Sequence, residues 1–169
     1  DQRDKIEVKM TNPRTIQLIG ALMDCGKRRQ GCLMGPDAFR TADLAGALTD
    51  LGHSVSDLGN VAPDQNDIPP HPQLVSLSEN AGWTTALAAS AEAAMAQGLP
   101  IFMGGDHALS LGTVLGVARH AAKVDQPLFV LWLDAHTDFH TPQSTASGNL
   151  HGTPVGYLTG REGFHDFPA

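Results

Sequence analysis

Apolar runs that alternate with helix-patterned segments constrain this chain more than any other feature. Thr15-Ile-Gln-Leu-Ile-Gly20, Leu99-Pro-Ile-Phe-Met103 and Pro127-Leu-Phe-Val-Leu-Trp-Leu133 read as strands, the last being the most apolar stretch of the chain. His53-Ser-Val-Ser-Asp-Leu58 reads as a weaker one. The first helix opens at Gly35-Pro36-Asp37, where proline suits the first turn and aspartate the positive end of the helix dipole. Phe39, Ala42, Leu44, Ala47, Leu48 and Leu51 form its apolar stripe, and Gly52 ends it. An alanine-rich helix is expected over Leu74–Gln97, stopped by Gly98, and another over Leu109–Ala122, its pattern interrupted by Gly112 and Gly116. Continuous apolar strands alternating with helices predict an α/β fold: a mostly parallel sheet covered on both faces, three layers in all. In such sheets ligands bind beyond the carboxyl ends of the strands. The places to search are therefore just after Met103 and just after Leu133.

Composition narrows the function classes. The chain has 169 residues, within the roughly 100–200 expected of one domain. Eleven basic against 18 acidic residues leave a net charge of −7, which argues against a nucleic-acid partner. The basic cluster Lys27-Arg28-Arg29 is too short to reverse that balance and reads as a solvated loop. Cys25 and Cys32 match neither a zinc ribbon nor a disulfide framework and are read as reduced thiols. No apolar run reaches the roughly 18 residues that span a bilayer, and the charged start, Asp1 to Glu7, lacks the apolar core of an export signal. The expectation is a cytoplasmic protein with no membrane partner.

Both searched positions hold metal-ligand residue types. Gly104-Gly105-Asp106-His107 follows the third strand, and Asp134-Ala135-His136-Thr137-Asp138 follows the fourth. In extended backbone, residues two apart point to one side, so Asp134, His136 and Asp138 are expected to converge. His107 joins them if the strands are neighbours, with Gly104 and Gly105 allowing a tight turn. Carboxylates and imidazoles without thiolates suit manganese better than a structural zinc. Such a site can hold two dications and activate water between them.

These motifs, followed by Ser147-Gly-Asn-Leu-His-Gly-Thr-Pro154, resemble the ureohydrolase family, and the arginases within it. The glycine-rich loop ending at Gly35-Pro36 is also similar, so the likeness runs from Ile16 onward. The resemblance implies a hydrolase with two Mn(II) ions per complete subunit, cleaving L-arginine to L-ornithine and urea. It implies that His107 and Asp138 bind one ion and His136 the other, with Asp134 bridging. A hydroxide between the ions would attack the guanidinium carbon. His151 matches the proton-shuttle histidine, a role suited to an imidazole titrating near neutral pH. Thr145, Ser147 and Asn149 match the loop that recognises the amino-acid end of the substrate. The resemblance further implies a homo-oligomer, trimeric or hexameric.

Two departures from the family pattern stand out. His140 replaces the usual asparagine that contacts the substrate carboxylate; an imidazole N–H can donate the same bond. The family's later Asp-x-Asp motif has no counterpart after Asp138, where the remaining acids are Glu162 and Asp166. Residues 1–169 are accordingly expected to be the N-terminal portion of a single arginase-like domain whose downstream half is absent. Alone they are expected to be inactive or nearly so. Agmatinase or another guanidino-acid ureohydrolase is the rival within enzymes. A truncated, non-catalytic binding module is the rival outside them.

Overall fold

The structure, a computed structural model, describes residues 12–169; the charged start lies outside them. The elements in order are β1 (Thr15–Ala21), α1 (Gly35–Thr41), α2 (Leu44–Asp50), β2 (Ser54–Val61), α3 (Leu77–Met95), β3 (Leu99–Gly104), α4 (Ser110–Lys123) and α5 (Pro154–Leu158). Single 3-10 turns lie at His107–Leu109 and Leu150–Gly152. The three strands form a parallel sheet in the order β2-β1-β3. Ile16 stands opposite both Val55 and Leu99, so β1 is the centre of the sheet.

Alternation along β1 explains the layers. Ile16 and Leu18 point to one face, where with Met103 they meet Leu44, Ala45 and Leu48 of α2. On the other side of the molecule, Ala21, Met23, Trp83, Leu87 and Leu111 form the larger core, with α3 and α4. Helices thus cover both faces, as expected of an α/β sandwich. Each fully buried aliphatic side chain here contributes about 1.5–3 kcal/mol. The two glycines that break the α4 pattern have a packing role. A Cβ on Gly112 would stand 2.6 Å from the Thr84 carbonyl oxygen, and one on Gly116 would stand 2.2 Å from that of Ala88. One turn apart, they let α4 lie directly on the alanine-rich face of α3.

Two expectations are corrected. The helix foreseen from Gly35 to Leu51 is two helices. Asp43 breaks it with left-handed backbone (φ 57°), and its side chain accepts the Gly46 N–H, capping α2. The fourth strand, Pro127–Leu133, does not form. Phe129, Leu131 and Leu133 are 86%, 69% and 86% exposed, and among the described residues β3 has β1 as its one strand neighbour. A strand buried on both faces needs covering layers as well as a free sheet edge, and no described segment covers these side chains.

Candidate active site

β3 delivers the first metal-ligand residue type. After Gly104 the chain passes under the loop that follows β1, with the Asp106 N–H donating to the Met23 carbonyl at 3.0 Å. The glycines here serve close approach, since neither has positive φ. A Cβ on Gly105 would stand 2.5 Å from the Cys32 carbonyl oxygen. Asp106 then caps the 3-10 turn, its Oδ1 accepting the Ala108 N–H at 3.0 Å, and His107 emerges beside the cavity.

Asp134 and Asp138 come to His107 by a route that strand alternation did not foresee. Residues 134–138 are not extended. The Asp134 Oδ1 takes the His136 N–H at 2.8 Å, and Asp138 has left-handed backbone at φ 47°. That conformation costs about 1 kcal/mol or more outside glycine, least for Asp and Asn. It is held by the Asp138 carbonyl, which accepts the Val155 and Gly156 N–H groups of α5 at 2.9 and 3.1 Å. The Asp138 Oδ2 stands 3.1 Å from His107 Nε2, and the Asp134 Oδ2 stands 3.7 Å from it. Ligand atoms of these three residues all lie within 4.8 Å of one another.

The His136 ring lies outside that group. It is largely exposed and reaches the other oxygen of Asp134, Oδ1, at 3.3 Å. Asp134 therefore presents one carboxylate oxygen to each histidine. The His136 backbone N–H, aided by the charge of a protonated His107 or His136, holds the Asp134 carboxyl below its ordinary range; partial burial opposes this.

Three donors, one of them an imidazole and two carboxylate, fit a hard or borderline divalent cation. The buried His107 Nε2 supports the fit. Among the described residues it has no aligned hydrogen bond although Asp138 is beside it, so its polar atom faces the carboxylates without a partner there. Trp132 lies in the apolar run that was expected to form a strand. Instead its Nε1–H donates to Asp138 Oδ2 at 3.1 Å, and its ring stands edge-on to His107 at 5.3 Å. A signal existed, because tryptophan alone among the residues of 127–133 carries a side-chain N–H that must find an acceptor.

One cavity of about 580 Å³ is lined by His107, Asp134, His136, Asp138, His140, Thr145, Ser147, Asn149 and His151, every site residue singled out from sequence. The 145–149 loop is internally braced: Thr145 and Ser147 hydroxyls stand 3.4 Å apart, and Ser147 Oγ accepts the Asn149 N–H at 3.2 Å. His140 donates its backbone N–H to the Gly152 carbonyl, and its Nδ1 is 3.3 Å from the Ser144 hydroxyl. His151 is half-buried, its N–H donating to Gly26 at 3.1 Å.

The Arginase family matches residues 14–166 of this chain. An arginase of Agrobacterium fabrum is 51% identical over 158 residues, covering 92% of this chain and 49% of that protein. An arginase of Brucella melitensis is 48% identical over 153 residues, covering 89% and 50%. The crystal structure of Bacillus subtilis arginase superposes with a TM-score of 0.75 at 35% identity, covering 88% of this chain and 48% of that one. The chain thus spans about half the length of the curated relatives it matches. With the matched span including the cleft from His107 to His151, this chain belongs to the arginase family.

Proposed function

We propose that the full-length protein carrying this sequence is a manganese hydrolase that converts L-arginine to L-ornithine and urea. The carrying observation is that nine residues chosen from sequence line one cavity, three of them with donor atoms within 4.8 Å. His107, Asp134 and Asp138 would hold one ion. His136, whose ring stands 3.3 Å from the other oxygen of Asp134, would contribute to a second. When bound, two such ions make water nucleophilic at neutral pH and stabilise charge at the attacked carbon.

The remaining residues orient the substrate and move a proton. Thr145 and Ser147 offer hydroxyls, and Asn149 an amide, to the carboxylate end without adding competing charge. His140 can donate a ring N–H to the same carboxylate. His151 delivers a proton to the departing amine. We further propose that residues 1–169 are the N-terminal portion of a single domain and are inactive or nearly so alone. The complete protein is proposed to be cytoplasmic, to carry two ions per subunit and to assemble as a trimer or hexamer.

Urea release by the Mn(II)-loaded, full-length protein tests this reading, with L-arginine and agmatine compared. Preference for L-arginine supports it. Preference for agmatine, or no urea from either, overturns it.

A further inference from the structure

Lys27 is not a solvated residue of a basic loop. Arg28 and Arg29 are exposed, but the Lys27 ammonium lies between two carboxylates, Asp24 Oδ1 at 2.7 Å and Asp106 Oδ2 at 3.4 Å. Cys32 Sγ is 2.9 Å away on a third side. The Asp106 carboxylate is fully buried and that of Asp24 nearly so. Asp24 also closes the loop, its Oδ2 accepting the Gly31 N–H at 2.7 Å and the Cys32 N–H at 3.3 Å. Residues 24–32 are therefore a compact closed loop pinned to the turn that carries His107. Burial by itself would ease the Lys27 proton off, but the bonds to Asp24 and Cys32 and the charge of Asp106 outweigh it and hold the ammonium charged.

Two bonds run from this loop to the cleft. The Gly26 carbonyl accepts the His151 N–H at 3.1 Å, and the Arg28 N–H donates to Asn149 Oδ1 at 3.3 Å. The second bond settles which way the Asn149 amide faces. A backbone N–H can only donate, so the oxygen must turn toward Arg28, and the NH₂ group is the end left for an acceptor. A carboxylate is such an acceptor.

We propose that Lys27 is a positioning residue for substrate-carboxylate recognition. Its ammonium locks the 24–32 loop so that the Arg28 N–H aims the Asn149 NH₂ into the cleft. The proposal rests on the arginine-hydrolase reading above. It requires no contact between Lys27 and substrate.

The test uses the full-length, Mn(II)-loaded protein. Lys27→Met keeps the length of the side chain and removes its charge. KM for L-arginine and the inhibition constant of L-ornithine are each expected to rise about tenfold, the worth of one hydrogen bond to a charged group, with kcat changed less than about threefold. Lys27→Arg is expected to bring both constants back to within about threefold of the parent, a difference below 1 kcal/mol. Unchanged constants in a folded Met variant, a loss confined to kcat, or an Arg variant no better than Met would each overturn the proposal. Because Lys27→Met strands the buried Asp106, Asp24→Asn is the second variant. It keeps the Lys27–Asp106 contact, loosens the loop closure and is expected to raise both constants about threefold; no rise overturns the proposal equally. A parent protein that releases no urea from L-arginine defeats the functional reading itself, a result separate from any variant.

Discussion

Gly26→Ala tests how tightly the site is built. Gly26 does not have positive φ, so alanine costs nothing in backbone strain there. Through the unfolded chain alone it would stabilise by about 0.4–1 kcal/mol. Sterics oppose this. The new Cβ would stand 2.4 Å from Asp106 Oδ1 and 2.5 Å from Ala108 Cβ, whereas ordinary contact begins at 3.4 Å. The loop and the His107 turn must therefore separate by about 1 Å, and overpacking of this kind costs about 1–3 kcal/mol. The net expectation is a loss of about 1–2 kcal/mol, a fall in thermal midpoint of about 1.5–3 °C in a protein roughly twice this length. Because the displaced turn carries His107, Mn(II) affinity should fall too. Gly152→Ala is the control: its Cβ meets nothing within 4 Å and its φ is not positive, so its midpoint should hold or rise. Thermal unfolding and Mn(II) titration of both variants, made in the full-length protein, give the answer. If Gly26→Ala melts and binds metal like the parent, the close packing of the loop on the His107 turn is wrong.

Other outcomes follow from the same geometry. Truncating the fully buried Leu87 to alanine should cost about 2–5 kcal/mol, read by chemical denaturation. Removing the His107 ring should weaken Mn(II) binding by more than removing that of His136, because His107 belongs to the three-donor group and His136 lies outside it; equal losses in metal titration would contradict the geometry. The bond from Lys27 and the Gly31 N–H lower the Asp24 pKa from 3.8 to about 2. A carboxyl depressed on folding stabilises above its unfolded pKa and loses that contribution as the proton returns. The parent's thermal midpoint should therefore fall more steeply from pH 4 to pH 2 than that of Asp24→Asn. Residues 1–169 produced alone should bind a hydrophobic dye through Phe129, Leu131 and Leu133 and release urea only at background.

Much of the fold was legible because its signals are local. β1 and β3 lie on the two continuous apolar runs and β2 on the weaker one, and α3 ends at Met95, three residues before Gly98. The split at Asp43 was not legible, since the apolar stripe continues across both helices and the break rests on one residue's left-handed backbone. The run at 127–133 was misjudged because an apolar pattern records what a segment needs, and not whether its neighbours supply it. At the site, residue identities were legible from motif spacing. Their arrangement was not: the bend at 135–136 and the left-handed Asp138 take the His136 ring away from His107, where alternation had them together. The buried role of Lys27 was passed over because Asp106, which joins Asp24 around its ammonium, is 79 residues away, and that of Trp132 because no pattern links it to Asp138.

The hydrolysis proposed for the cleft built on His107, Asp134 and Asp138 depends on metal. Titrating the metal-free, full-length protein with Mn(II) while following urea release from L-arginine tests it most directly. Activity should appear only as metal binds and reach its plateau at two ions per subunit, with urea and L-ornithine formed together. Urea formed at the same rate without metal, or tight Mn(II) binding with no urea, would contradict the proposal.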